Sequence, residues 1–253
     1  MIDTHTHIYF PEYEDRAEVV ERCIKNGITK FILPNVDKES LPFVKDFHTA
    51  YPDRAFMAIG LHPTEVDCGW KDFIIEVEKE LKTNEYVAVG EVGIDLYWDQ
   101  SKLDLQKEAF EKQLKLAEQF RLPVIIHSRD AFEETMEVIE KVNPTVPLIF
   151  HSFTGNIHDV ARLRKGFDPY FGINGVVTYK NAPGLREALP EIGIERILLE
   201  TDSPYLTPVP HRGKRNDSSY LCHIRDKVSE VLSMNPEEVE KITDQTASSI
   251  FGI

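Results

Sequence analysis

The chain has 253 residues and carries 43 acidic against 29 basic side chains, a formal charge of −14. That balance excludes a protein that grips nucleic acid along a broad basic surface, although bound divalent cations would still allow a local phosphate site. The length fits one barrel domain, 1–253, with a core large enough to need no disulfides.

The three cysteines, Cys23, Cys68 and Cys222, lie far apart and form no CxxC pair. Neither a thiolate zinc site nor a disulfide framework is indicated, and a reducing compartment is favoured. No run of about 18 apolar residues is present, so no membrane span is expected. The first chemical motif starts at Asp3, which leaves no room for a cleavable leader ahead of it, so a cytoplasmic protein is expected.

Taken in chain order, short apolar runs alternate with longer helical stretches. A strand over Ile2–His7 precedes a helix over Asp15–Asn26, which Gly27 can cap. Strands follow at Lys30–Pro34 and Ala55–Ile59, then a helix at Trp70–Leu81 and a strand at Tyr86–Gly90. The clearest helix is Leu103–Phe120, where Leu103, Phe110, Leu114 and Ala117 recur at helical spacing. Beyond it come strand Pro123–His127, helix Ala131–Lys141, strand Leu148–His151, helix His158–Lys165, strand Tyr170–Gly172, helix Gly184–Leu189 and strand Arg196–Glu200. Two more helices, Ser218–Leu232 and Pro236–Ile250, end the chain, the second with Asn235 as cap and proline in its first turn. Short apolar strands suit a parallel sheet covered on both faces. Strand–helix alternation repeated about eight times predicts an α/β fold, a TIM-type (β/α)8 barrel with extra C-terminal helices. A doubly wound open sheet is the alternative.

The candidate chemistry falls where strands end. His5 and His7 close the first strand, two apart and so on one side of it. His62 follows the third strand in Gly60-Leu61-His62-Pro63, and Glu91 follows the fourth in Gly90-Glu91-Val92-Gly93-Ile94-Asp95. His127 and His151 end the fifth and sixth, and Asp202 follows the eighth. In a parallel barrel these ends open on one face, where active sites lie. His5, His7, Glu91, His127, His151 and Asp202 therefore form a candidate metal site. Imidazole and carboxylate suit zinc, manganese, iron or cobalt, and a carboxylate-rich site also accepts magnesium. The set exceeds the needs of one tetrahedral ion, so two divalent ions bridged by Glu91 are the natural reading. Such a pair activates water and steadies charge on a phosphoryl group.

His48, His158 and His223 fall within helix candidates, where a solvated or packing role is expected. Tyr97 and Trp98 follow the Asp95 loop and could stack on a ligand or simply pack the loop. After the eighth strand, Arg212, Lys214 and Arg215 form a cationic cluster beside the expected pocket, and Arg129 follows His127 by two residues. Arginine suits bidentate phosphate contacts, so these residues, with His62, are candidate phosphate binders; the opposing reading is a solvated loop paired with surface acids.

These motifs resemble the TatD family of metal-dependent deoxyribonucleases, within the amidohydrolase-like barrels. The resemblance spans the chain, from Ile2-Asp3-Thr4-His5-Thr6-His7 through the Gly60 and Gly90 motifs, Pro123-Val124-Ile125-Ile126-His127-Ser128-Arg129 and Phe150-His151-Ser152-Phe153, to Glu200-Thr201-Asp202-Ser203-Pro204-Tyr205-Leu206, Arg212-Gly213 and Asn216. It implies a two-metal centre, Mg²⁺ as the working ion with Zn²⁺ or Mn²⁺ as further candidates, and removal of nucleotides from DNA 3′ ends. By matching positions it assigns His5, His7, Glu91 and Asp202 to one ion and Glu91, His127 and His151 to the other. His62 would touch the scissile phosphate or leaving group. Two positions depart from the pattern: Tyr9, where the family often has Asp or Asn, and Asp217-Ser218, where it usually has an acidic residue then proline.

The mechanism expected from this set has two ions polarising a water, Asp202 orienting it or taking its proton, and His62 assisting the departing oxygen. Glu91, Asp202 and His62 are thus the candidate catalytic residues. Without a basic track, the protein is expected to engage only the last few nucleotides of single-stranded or frayed 3′ ends; RNA shares the phosphodiester. No obligate protein partner is indicated. The competing enzyme reading is an amide, ester or lactone hydrolase, including an aminoacyl-ester deacylase, and the non-catalytic one is a metal-bound scaffold. No helix-turn-helix or zinc finger supports a plain DNA-binding module.

Overall fold

A computed structural model describes residues 1–253. Its strands are β1 (Ile2–Asp3), β2 (Lys30–Pro34), β3 (Ala55–Ile59), β4 (Tyr86–Asp95), β5 (Val124–Arg129), β6 (Leu148–Phe150), β7 (Tyr170–Ile173) and β8 (Ile197–Leu199). They form one sheet in strict chain order, and every neighbouring pair is parallel. Parallel neighbours need long crossovers. These are supplied by α1 (Arg16–Lys25), α2 (Leu41–Ala50), α3 (Trp70–Leu81), α4 (Leu103–Phe120), α5 (Phe132–Val142), α6 (Ile157–Gly166) and α7 (Pro183–Ile192), with α8 (Leu221–Leu232) and α9 (Pro236–Phe251) after the last strand.

The sheet closes on itself between β8 and β1 through individual hydrogen bonds rather than a regular ladder. Thr4 donates from its amide and its hydroxyl to the Leu199 carbonyl, at 3.1 and 3.0 Å. The Asp202 amide donates to the His5 carbonyl at 2.9 Å, and the His7 amide to the Ser203 carbonyl at 2.8 Å. The result is a TIM-type barrel; an open doubly wound sheet would leave these edges apart.

Both faces of each strand are buried, which is why the strands read as continuous apolar runs. One alternate set, including Phe31, Leu33, Val89, Ile126 and Phe171, packs outward on the helices. The other set fills the barrel: Ile2, Ile32, Ala58, Ala88, Ile125, Ile149 and Leu198, one from each strand but β7, sealed by Ala247 and Phe251 of α9. α9 therefore stoppers the end opposite the strand C-termini, leaving only the other end for a site.

Several bounds differ from those expected. Regular pairing in β1 stops at Asp3, because the stretch to His7 meets β8 only through the seam bonds and one bridge, Thr6 to Ser203. β4 runs on to Asp95, past a register shift between Val89 and Val92. α2 supplies the helix around His48, whose ends the periodicity leaves open. α7 continues through Pro190, which costs one backbone donor close to the helix end.

Candidate metal centre

The loops that carry the candidate ligands are held from behind by buried amide side chains. On α4, Gln106 and Gln113 stand two turns apart. Gln113 accepts from the Leu61 amide at 2.7 Å and donates to the Leu61 carbonyl at 3.3 Å, fixing the backbone beside His62. Gln106 does the same for Asp95, at 2.8 and 3.1 Å. Asn35 accepts from the Gly60 amide at 2.8 Å, and Asn216 donates to the carbonyls of Thr201 and Tyr205, on either side of Asp202. Each is a side chain copying a backbone ladder where the ladder has stopped. Two glycines give the clearance. Gly93 has φ +145°, and a Cβ there would lie 1.9 Å from the His127 carbonyl oxygen. A Cβ on Gly172 would strike the Glu200 carboxylate at 2.1 Å.

At the open end the six candidate ligands and His62 meet around Glu91, which is 3% exposed. Its two carboxylate oxygens face different neighbours. Oε2 lies 3.2 Å from His5 Nε2 and 4.0 Å from His7 Nε2. Oε1 lies 2.7 Å from His127 Nδ1, 3.0 Å from His151 Nε2 and 3.4 Å from His62 Nε2. Asp202 Oδ1 sits 3.8 and 3.7 Å from Nε2 of His5 and His7. Three overlapping groups could each hold an ion: His5, His7 and Glu91; His5, His151 and Asp202; and His62, Glu91 and His127. His62 is thus as close to Glu91 as the candidate ligands are, nearer to the centre than a residue reserved for the leaving group need be.

Outer partners set which nitrogen each imidazole turns inward. His151 Nδ1 faces Glu200 Oε1 at 3.1 Å, and His127 Nε2 faces Asp95 Oδ2 at 2.9 Å. Both carboxylates take the outward N–H, leaving the other nitrogen's lone pair toward Glu91. His7 reaches the same state differently. The Tyr9 hydroxyl donates to the Pro34 carbonyl at 2.6 Å, so its oxygen accepts from His7 Nδ1 at 2.9 Å. His5 is the exception, since its buried Nδ1 has no hydrogen-bond partner. Inward lone pairs clustered on a buried carboxylate repel one another unless a cation or protons lie between them. The donor set therefore fits divalent metal, and its chemistry is that of the mixed imidazole–carboxylate sites.

The same demand for positive charge shapes the acidities of the metal-free chain. Burial pushes His5 down to about 4, helped by His151. Burial likewise depresses His7, with His5 adding to it, and His62, where Glu91 opposes. For His151 burial works against charge, yet Glu91 and Glu200 hold its acidity constant well above the ordinary value. His127 is raised too, with burial outweighed by Asp95 and Glu91. Glu91 remains well below the usual carboxylate range, since His151, His62 and His5 outweigh its burial. Burial lifts Asp202 up to about 7, against the pull of His151. The raised constants of His127 and His151 reflect the same pull toward positive charge that a cation would answer.

The candidate phosphate residues are less convergent. Arg129, Arg212 and Arg215 each lie on a tyrosine ring, with guanidinium carbons 3.7 Å from Tyr97, 4.2 Å from Tyr179 and 4.5 Å from Tyr13. Arg215 is also held by both oxygens of Asp15, at 2.6 and 2.7 Å, and by the Glu12 carbonyl, which turns it to the outer surface. Lys214 is exposed. His48 bonds the Ala55 carbonyl at 2.7 Å, His158 is exposed, and His223 packs by His211 and Tyr220. Asp95 and Glu200 escaped selection as site residues although both lie inside the motifs. The signal available was spacing: Glu200 stands two residues before Asp202, and Asp95 pairs in register with Arg129, two residues beyond His127.

With this geometry in place, comparison with known proteins is informative. The profile of the family described as TatD related DNase matches residues 2–252. The chain belongs to the TatD family. A metal-dependent hydrolase of Bacillus subtilis, YabD, is 37% identical over 100% of this chain and 99% of its own. A Pantoea ananatis protein named 3′-5′ ssDNA/RNA exonuclease TatD is 31% identical over 94% of both. The crystal structure of YJJV, a TatD homologue of Escherichia coli K12, superposes with a TM-score of 0.93 at 25% identity, covering 100% of this chain and 98% of that one. This TatD-family chain is accordingly a metal-dependent hydrolase on a TIM-type barrel, and no helix in it is long and apolar enough to cross a membrane.

Proposed function

We propose that this TatD-family hydrolase is a two-metal phosphodiesterase that removes nucleotides from the 3′ ends of single-stranded or frayed DNA. The observation that carries the reading is the division of Glu91, one oxygen toward His5 and His7, the other toward His127 and His151. That is the disposition of a carboxylate between two cations. Substrate class is argued from the Pantoea relative named as an exonuclease on ssDNA and RNA, and from charge. At −14 the chain has no basic track for a duplex, so contact is confined to a strand end.

In this reading His5, His7, Glu91 and Asp202 would hold one ion and Glu91, His127 and His151 would hold the other. When bound, such a pair supplies Lewis acidity and lowers the acidity constant of water toward neutrality. The remaining steps fall to the chain. Asp202, whose Oδ1 lies 3.8 and 3.7 Å from Nε2 of His5 and His7, would accept a proton from the attacking water. Asp95 and Glu200 keep His127 and His151 in the tautomers that face inward. His62, depressed by burial and hydrogen-bonded through Nδ1 to Thr64, points Nε2 at the centre, where it contacts the scissile phosphate or departing oxygen. Arg129 and Arg212 would serve as the outer phosphate contacts.

Digestion of oligonucleotides labelled at either end, with Mg²⁺ or Mn²⁺ added, tests the proposal. Stepwise release of mononucleotides from the 3′ end is expected, faster on single strands than on blunt duplex. Nicking of closed circular DNA as the main activity, or hydrolysis of amide and ester panels without any nuclease activity, would overturn it.

A further inference from the structure

Among the three arginine–tyrosine contacts, that between Arg129 and Tyr97 of the β4–α4 loop stands apart. Trp98 is 70% exposed and Tyr97 53%, and Trp98 is the most exposed large apolar side chain of the protein. The fold does not require an indole there, since neither ring belongs to the core. Their position is nevertheless fixed. The Tyr97 amide donates to Asp95 Oδ1 at 3.0 Å, and the other oxygen of that carboxylate meets His127, which touches Glu91. One carboxylate thus ties the aromatic pair to the proposed metal centre.

Arg129, the register partner of Asp95, completes the group. Its guanidinium lies on the Tyr97 ring at 3.7 Å and sits 5.8 Å from the Trp98 ring, and it forms no ion pair in a chain of fourteen net negative charges. The two rings meet edge-on, 4.8 Å apart at 90°. Arg129 covers one face of Tyr97, whereas the indole face of Trp98 is open to solvent. A guanidinium stacked in this way keeps its edge N–H groups free for an anion.

We propose that Tyr97, Trp98 and Arg129 form a stacking subsite for an unpaired nucleobase of the strand being degraded, with Arg129 contacting an adjacent phosphate. The inference rests on the nuclease reading and names what selects the substrate. A base inside a duplex has both faces covered by its neighbours, whereas an unpaired base offers a π-face to Trp98. Every base has such a face, so the subsite selects single strands and not sequence.

The test combines kinetics with a binding signal. Trp98→Ala lowers the ratio of kcat/KM on oligothymidylate to kcat/KM on bis(4-nitrophenyl) phosphate about tenfold, through KM, and Trp98→Phe restores most of it. In the presence of Mg²⁺, an oligothymidylate with phosphorothioate 3′ linkages quenches the tryptophan emission of the native protein. The quench disappears in Trp98→Phe, where only buried Trp70 remains, and with an oligonucleotide whose 3′-terminal residues are abasic. An unchanged kinetic ratio in Trp98→Ala, or equal quenching by abasic and base-bearing strands, overturns the subsite while leaving the nuclease reading intact. If the native protein cleaves no DNA, that reading fails by itself. The quench then decides the subsite alone, supporting it if it requires bases and refuting it if it does not.

Discussion

At the closed end of the barrel, seven strands contribute one apolar side chain each, and α9 lays Ala247 and Phe251 across them. At the open end, five of these strands lead into four imidazoles and two carboxyl groups packed so closely that several donors lie within 4.0 Å of Glu91. The apolar layer is stable as it stands, because burial alone favours it. The polar layer is in tension without a cation, and it persists because strands anchored below, and the buried amides of Asn35, Gln106, Gln113 and Asn216, hold it in place. One end supplies stability that the other consumes, which is why ligands drawn from five separate strands can be held together at all.

That contrast can be broken by substitution at either end. The largest effect is expected from Glu91→Ala, which should lower metal-dependent hydrolysis by at least about 10³-fold while circular dichroism shows an intact barrel. Near-native turnover in that variant would remove Glu91 from the centre. At the closed end, Ile32→Ala should cost about 2–5 kcal/mol in denaturant unfolding and leave bound metal per folded molecule unchanged. A loss of metal as large as the loss of stability would show that the two ends are not separable.

Smaller effects sharpen the account of the outer partners. Asp95→Asn and Glu200→Gln should each weaken metal binding about 10–100-fold in titration calorimetry, since they free His127 and His151 to turn the wrong nitrogen inward. Unaltered affinity in both would mean that packing alone orients the rings. The pH dependence follows from the same geometry. His127 and His151 have raised acidity constants, and Asp202 stands at about 7. All three shifts increase the protonated fraction of the metal-free chain relative to an ordinary imidazole or carboxylate, and metal competes with those protons. Affinity should therefore rise with pH, with net proton release on binding near pH 7. Calorimetry in buffers of different ionisation enthalpy reads this release, and zero release would contradict the proton-for-metal exchange.

Much of this was legible in the sequence because each ligand type sits where an apolar run ends, and a parallel barrel gathers such ends. The strand β1 was misjudged because its last residues join β8 through isolated bonds, a feature of closure that no local pattern carries. β4 runs past Gly90 because Gly93, at φ +145°, lets the strand pass against His127 and continue to Asp95. The fate of Arg215 was hidden for a different reason. Its partner Asp15 lies 200 residues away, and a pairing over that distance exists only once the chain has folded. Tyr9 could be marked as a departure from the family pattern, but its part in turning His7 became visible only with the Pro34 carbonyl beside it.

The central claim is that Glu91 stands between two cations, and crystals grown with Mn²⁺ and measured for anomalous scattering test it most directly. The account predicts two manganese peaks about 3.5–4 Å apart, one on each side of that carboxylate. A single peak, or a pair bound away from Glu91, would contradict it.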